Sequence, residues 1–135
     1  MAVVVPSPRM CKTYVEEHLM GAGSKLAAGA VVGPGGFAWA QSDHFPTVQT
    51  NEFDSIIEEF DHPGALANGL VFAGVTYMDV QHVGNSVIKA KIDEASNSGI
   101  TIFRLWTPLL IGLYDQNPEE CSKIVEDLGA YIEGH

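Results

Sequence analysis

Residues 69–114 read GLVFAGVTYMDVQHVGNSVIKAKIDEASNSGITIFRLWTPLLIGLY, and this stretch decides the fold. It consists of short runs rich in β-branched and aromatic residues, separated by glycine, asparagine, serine and proline, which is the pattern of strands joined by turns. The predicted strands are 69–72, 76–81, 86–92, 100–105 and 109–114. Connections this short predict an antiparallel meander, because a parallel crossover needs a dozen or more residues.

The residues before this stretch predict a helix followed by a hairpin. Ser7 caps the helix and Pro8 opens it, and its buried stripe ends before Gly21. We expect His18 to lie on or beside that buried face. Residues 26–32 and 37–42 then form two strands around the Gly/Pro turn at 33–36.

A second helix is predicted from Thr50 or Asn51 to the stop at His62. Its apolar residues recur at i, i+3, i+4 and i+7 and face the core. They are Phe53, Ile56, Ile57 and Phe60. The acidic residues Asp54, Glu58 and Glu59 are expected to form the solvated face.

The last helix is predicted to begin at Pro118, with Asn117 as its cap and Glu120 completing a capping box. Its buried stripe is Cys121, Ile124, Val125, Leu128 and Ile132.

The elements together predict an α+β fold with a central antiparallel sheet of about six or seven strands. The N- and C-terminal helices pack on one face and the further helix on the other. We expect residues 1–9 to be a flexible extension and residues 10–135 to form one domain.

Composition narrows the class of protein. The chain has 135 residues, of which 46% are hydrophobic, enough for one compact domain. Seven Lys+Arg stand against 17 Asp+Glu, so the formal net charge is −10. Such a surface repels phosphate backbones, and no nucleic-acid partner is expected. The start of the chain predicts no signal peptide, and no apolar run is long enough to span a bilayer.

The residue patterns predict no active site, metal or cofactor. The five histidines and the two cysteines, Cys11 and Cys121, lack metal-ligand or disulfide spacing, which suits a reducing cytosol. In each of the pairs Glu58-Glu59 and Glu119-Glu120, the two side chains point in different directions from the helix, so the two carboxylates cannot act on one substrate. The segment 21–25 resembles a phosphate-binding loop but lacks its second glycine and follows a helix.

Three aromatic residues have an unusual distribution. Tyr14 lies in the first helix, Trp39 in the second strand and Tyr131 near the end of the last helix. If both terminal helices pack on the same sheet face, these residues meet at one patch. Ordinary core packing explains such a patch, and so does a groove for proline-rich ligands, whose extended helix fits between flat aromatic faces.

The order and spacing of several short motifs resemble the profilin family, particularly its plant and protist type. The resemblance runs from Lys12 to Ile132. The similar motifs are residues 13–15 with 18–19, residues 39–42 with 45–46, residues 60–64, residues 77–78 with 81, residues 99–102, and the Leu128-Gly-x-Tyr131 motif. The resemblance implies the profilin-like form of the predicted fold.

The resemblance implies a protein that binds monomeric actin, regulates actin filament assembly, and binds proline-rich proteins such as formin-type assembly factors. It implies a cytoplasmic, cytoskeleton-associated location. By this resemblance the groove for proline-rich segments contains Tyr14, Trp39, Leu128 and Tyr131. Cys11 stands where the family usually has tryptophan, which predicts weakened or altered binding of proline-rich ligands.

The resemblance also implies an actin-binding surface on the later strands and the start of the last helix. Its expected contacts are Lys89, Lys91, Ser122 and Lys123, with the lysines forming one patch. Thr76 replaces a lysine common in the family, Glu119 and Glu120 replace small residues, and the preceding loop is about two residues short. Phosphoinositides are expected to bind weakly, because each cation near a membrane contributes only about 1 kcal/mol and the net charge opposes an anionic surface.

Two other classes of protein remain open at this stage. A PAS-like or roadblock-like sensory or scaffold domain also builds helices around an antiparallel sheet. A buried ligand cavity or an obligate dimer would favour this class. The motifs at 39–42 and 128–131 disfavour it. An enzyme is the third possibility, and no residue constellation supports it.

Overall fold

The structure is a computed structural model that describes residues 8–21, 25–43, 45–66, 68–93, 97–105 and 108–133, with the backbone alone for residues 8–10. The first helix, α1, is Pro8–Thr13 and continues as a π-helical segment, Tyr14–Leu19. Strands β1 (Ala28–Val32) and β2 (Ala38–Gln41) flank a short 3-10 turn at Pro34–Gly36. Helix α2 is Thr50–Asp61.

The second half of the chain supplies the remaining elements. They are β3 (Leu70–Phe72), β4 (Val75–Val83), β5 (Val87–Lys91), β6 (Gly99–Arg104), β7 (Leu109–Tyr114) and the helix α3 (Pro118–Glu133). The sheet has seven strands in the order β2-β1-β7-β6-β5-β4-β3. Every neighbouring pair is antiparallel, so the predicted meander from β3 to β7 is confirmed.

Two hydrophobic clusters cover the two faces of the sheet. Phe53, Ile56 and Phe60 of α2 pack on one face, against residues such as Ile88 and Ile102. The other face lies under α1, the π-helical segment and α3, whose buried side chains form the second cluster. The predicted arrangement, with the terminal helices on one face and α2 on the other, is therefore confirmed.

The central strands show why both faces must be covered. All five residues of β1 are buried, because this strand lies between the two clusters. Strand β4, which lies next to the edge strand β3, is mostly exposed. Among the helices in the described parts of the chain, none combines the length and apolarity needed to cross a membrane.

Two glycines lie in close contact with aromatic rings, one in α3 and one in the β1–β2 turn. Gly129 of α3 lies directly against the ring of Phe103, which a Cβ at this position would overlap. Gly33 lies against the indole ring of Trp39 in the same way, so the β1–β2 turn supports that side chain from below. Glycine is required at both positions by contact with a neighbouring ring.

One prediction about which side chains of α2 are exposed to solvent is wrong. Glu59, expected on the solvated face of α2, is only 1% exposed. Its carboxylate turns inward and accepts hydrogen bonds from the backbone amides of Gly64 and Leu66, at 2.9 and 2.7 Å. His82 of β4 contributes a third bond to the same carboxylate. The carboxylate is satisfied by loop and strand groups that helical periodicity does not reveal.

Candidate functional site: an aromatic cleft and a basic face

The structure brings the predicted aromatic residues together on the face covered by the terminal helices. Tyr14 and Leu128 are buried members of the second hydrophobic cluster, and Trp39 packs against the same cluster. We call Tyr14, Trp39, Leu128 and Tyr131 the aromatic cleft. The π-helical segment, β2 and α3 each contribute to it, so the cleft depends on all three elements.

These side chains differ in exposure. Tyr14 and Leu128 are 9% and 6% exposed, Trp39 is half-buried, and Tyr131 is 52% exposed. Trp39 and Tyr131 therefore present more of their surface to solvent than Tyr14 and Leu128 do. Tyr131 is one of the few large hydrophobic side chains left exposed on the described surface.

The ionisation of Tyr14 reflects the same arrangement. Burial raises the pKa of Tyr14, and the neighbouring Tyr131 and Cys11 raise that pKa further, because their charged forms would repel a phenolate. The side chains from the two terminal helices are therefore close enough to interact electrostatically. The ring of His18, which is exposed, lies 5.9 Å from the ring of Tyr14 at a tilt of 52°. This places His18 beside the buried face, as predicted.

Cys11 lies in the core beneath the cleft. It has no exposed surface, and burial raises the pKa of its thiol. A neutral, enclosed thiol supports the cleft from within. The structure therefore places Cys11, predicted as a residue of the groove, inside the core.

The lysines predicted for the second site lie near α3. Ile88 and Ala90 of β5 belong to the cluster under α2, so the alternating residues Lys89 and Lys91 point to the opposite face. Lys89 is paired across the sheet with Thr101, whose hydroxyl lies 2.7 Å from that of Ser122 in α3. We call Lys89, Lys91 and Lys123 the basic face.

Carboxylates of α3 accompany this basic face. Lys89 Nζ lies 3.1 Å from Glu126 Oε2, and Lys123 Nζ lies 3.3 Å from Asp127 Oδ2. The spacing of Lys123 and Asp127 at i and i+4 was visible in the sequence. The pairing of Lys89 with Glu126 had no sequence signal, since it joins a strand to a helix far along the chain.

Ser122, a predicted contact residue, lies in the first part of α3. It is 3% exposed, and its hydroxyl is engaged with Thr101. Beside it, a separate pocket of about 150 Å³ opens between β4, β5 and the start of α3. Side chains of both charge signs line this pocket, including Lys89, Lys91, Asp79 and Glu119.

In the described ranges, no group of three or more His, Cys, Asp or Glu side chains is arranged to hold a metal ion.

The fold is a small antiparallel sheet covered on both faces by helices, and it carries the aromatic cleft and the basic face as candidate binding surfaces. The sequence model of the Profilin family matches residues 10–135. The chain therefore belongs to the profilin family, whose members are non-enzymatic actin-binding proteins. The PAS-like or roadblock-like alternative is wrong.

Solved structures give the same result. Acanthamoeba castellanii profilin IB is 27% identical, with a TM-score of 0.78 over 92% of this chain and 97% of that chain. Mouse profilin IIa, solved with a double repeat from the FH1 domain of mDia1, is 19% identical, with a TM-score of 0.69 over 90% and 95%. LokiProfilin1, solved with rabbit actin, is 13% identical, with a TM-score of 0.69 over 98% of each chain. At these last two identities the likeness shows the fold.

Proposed function

We propose that this chain binds monomeric actin through the basic face and proline-rich segments through the aromatic cleft, and so regulates actin filament assembly. Membership in the profilin family supports both activities. A relative with the same fold was solved with actin, and another with proline-rich formin repeats. The single observation that carries the proposal is the convergence of Tyr14, Trp39 and Leu128 on one cluster, with Tyr131 acting on the ionisation of Tyr14.

The aromatic cleft suits a proline-rich ligand for physical reasons. The polyproline II helix is already ordered before binding, so little conformational entropy is lost when it docks. Its rings pack against flat aromatic side chains, and Trp39 and Tyr131 present such surfaces to solvent. Tyr14 and Leu128 belong to the buried cluster against which Trp39 packs.

Cys11 lowers the expected affinity for such ligands. The loss of one central aromatic anchor costs about 2 kcal/mol, which corresponds to roughly thirtyfold in the dissociation constant. Since the Cys11 thiol is enclosed in the core, it does not replace the missing contact. The cleft therefore binds proline-rich segments weakly, or prefers ligands that rely on Trp39 and Tyr131.

Fluorescence titration with an oligoproline peptide tests this assignment. Binding changes the emission of Trp39, whereas a Trp39→Phe variant, which retains Trp106, shows little change and weaker binding. Unaltered Trp39 emission at millimolar peptide contradicts the assignment of the cleft.

The basic face is assigned to actin because it concentrates cations on an otherwise acidic protein. Lys89, Lys91 and Lys123 are three of only seven Lys+Arg residues in the chain. Such lysines can pair with acidic groups of a partner surface, in exchange for their present partners Glu126 and Asp127. Ser122 supports the face from within by attaching α3 to β6 through Thr101.

The assembly of pyrene-labelled actin tests this second assignment. The wild-type protein is expected to slow spontaneous assembly, and the Lys89→Glu plus Lys123→Glu variant to lose most of that effect. Equal inhibition by the variant contradicts the assignment of the basic face. An Arg104→Glu variant is the matched control, because Arg104 pairs with Asp61 on the α2 side.

We propose that the chain is a binding protein and not an enzyme. Since monomeric actin is the partner, we place the protein in the cytoplasm, in association with the cytoskeleton. Formin-type assembly factors are the proposed class of proline-rich partner, because a formin FH1 repeat is the ligand solved with a relative of the same fold.

A further inference from the structure

The basic face contains an ion pair that is more shielded than the others on α3. Lys89 and Glu126 lie 3.1 Å apart, and their side chains are 32% and 28% exposed. Lys123 and Asp127 lie 3.3 Å apart, but their side chains are 75% and 66% exposed. Solvent and salt screen the second pair more strongly than the first. The carboxylate of Glu126 therefore has the larger effect on its lysine.

The position of Glu126 is fixed by the packing of α3. Ser122 lies one helical turn earlier, and its buried hydroxyl attaches α3 to Thr101 of β6. Thr101 is the cross-strand partner of Lys89, so the same contact sets the distance between α3 and β5. Lys123 precedes Glu126 by three residues and is its neighbour on the helix surface. Glu126 is thus paired with Lys89 and lies one helical turn from Lys123.

We infer that Glu126 is an internal competitor for Lys89, which an acidic partner surface must displace before Lys89 can contact it. The inference rests on the proposed binding of actin at the basic face. While the pair is closed, Lys89 contributes little net potential to attract a partner. Glu126 therefore determines specificity, because it disfavours partners whose acidic groups do not replace its carboxylate.

The consequence for binding is mainly kinetic. Electrostatic steering depends on the net charge that a surface presents at a distance, and a closed pair presents almost none. Removing the negative charge of Glu126 leaves Lys89 without its partner and raises the positive potential of the basic face. The association rate with an acidic surface then rises, and the increase disappears when salt screens the surface.

The test measures association with monomeric actin by stopped-flow or biosensor kinetics, using wild-type protein, Glu126→Gln and Glu133→Gln. Glu133 lies on the exposed end of the same helix and provides an equal change in charge. Glu126→Gln is expected to raise the association rate constant about twofold to fivefold at low ionic strength. Glu133→Gln is expected to have a much smaller effect. At about 0.5 M salt, where the screening length is only a few ångströms, the variants should coincide.

A Lys89→Gln background separates competition from a general effect of charge. If Glu126 acts through Lys89, most of the increase disappears in that background. An unchanged or slower association rate for Glu126→Gln, with thermal unfolding like that of the wild type, overturns the inference while leaving the proposed function in place. Absence of any binding of wild-type protein to actin overturns the proposed function, and this inference with it.

Discussion

Glu59 and Glu52 show how single buried carboxylates complete α2. Glu52 accepts a hydrogen bond from the amide of Gln49 at the start of the helix and another from Gly74 in the β3–β4 turn, both at 2.9 Å. Glu59 performs the same task at the end of the helix, where it binds the amides of Gly64 and Leu66. Each carboxylate satisfies backbone donors that would otherwise be costly to bury.

The ionisation of Glu59 links this arrangement to pH. Burial alone would raise its pKa, but the hydrogen bonds from Gly64, His82 and Leu66 outweigh burial, and the pKa of Glu59 is lowered. A lowered pKa in the folded state means that the stabilising contribution is complete above the ordinary value of about 4.3. This contribution disappears as the pH falls through the lower pKa of the folded protein.

We therefore expect Glu59→Gln to reduce the free energy of unfolding at pH 7 by about 1 to 3 kcal/mol, because buried donors lose a charged acceptor. The loss should begin to shrink as the pH falls below about 4.3, where the carboxylate of the unfolded chain becomes protonated, and should disappear as the pH falls through the lower pKa of the folded protein. Urea unfolding of both proteins between pH 7 and pH 3 measures this difference. Glu58→Gln is the matched control, since Glu58 is exposed and should change stability little. A difference between wild type and Glu59→Gln that is independent of pH contradicts the proposed linkage.

At the scale of secondary structure, the strands were predictable and the end of the first helix was not. Short runs separated by turn residues placed β3 to β7 within a few residues of their observed bounds, since strand periodicity is a local property. The π-helical segment Tyr14–Leu19 had no such signal. The β-bulge opposite Val31 and Val32 places both Trp39 and Ala40 against the same cluster, which simple alternation does not predict.

The contacts between elements explain what sequence patterns missed in the site. The aromatic residues and lysines were found from their motifs, because each lies in a recognisable element. The burial of Cys11 and Ser122 and the pairing of Lys89 with Glu126 depend on how α1, α3 and β5 pack. Such contacts join residues far apart in the chain, so local spacing contains no information about them.

The packing of α3 on β6 leads to a second prediction. Gly129→Ala places a methyl group against the ring of Phe103, and we expect it to cost about 1 to 3 kcal/mol of stability. This loss occurs although alanine is favoured over glycine in a helix by about 1 kcal/mol. Because Leu128 and Tyr131 share the helix, oligoproline binding should weaken as α3 shifts. Chemical denaturation and peptide titration measure the two effects.

A compensating substitution provides the control for Gly129→Ala. Phe103→Leu removes ring volume at the point of contact, so Gly129→Ala should cost less in that background than in the wild type. Equal costs in both backgrounds would mean that the overlap with Phe103 is not the cause.

At the scale of the whole molecule, the net charge of −10 is distributed unevenly. No Lys or Arg occurs between Lys25 and Lys89, and this interval contains all of α2. The exposed carboxylates of α2 include Asp54, Glu58 and Asp61. The basic face lies on the opposite side of the sheet. The molecule therefore presents a strongly acidic face and a second face whose cations are largely paired with Glu126 and Asp127.

This distribution predicts weak binding to anionic membranes. Each cation close to such a surface contributes about 1 kcal/mol, and the pairing of Lys89 and Lys123 with carboxylates reduces even that contribution. At physiological ionic strength we expect the protein to sediment no more with vesicles containing phosphatidylinositol bisphosphate than with neutral vesicles. Some binding should develop at low ionic strength, where the Debye length exceeds the size of the basic face. Strong sedimentation of the wild type that is lost in a Lys89→Glu plus Lys91→Glu variant would contradict this prediction, because the local cations would then outweigh the net charge of the molecule.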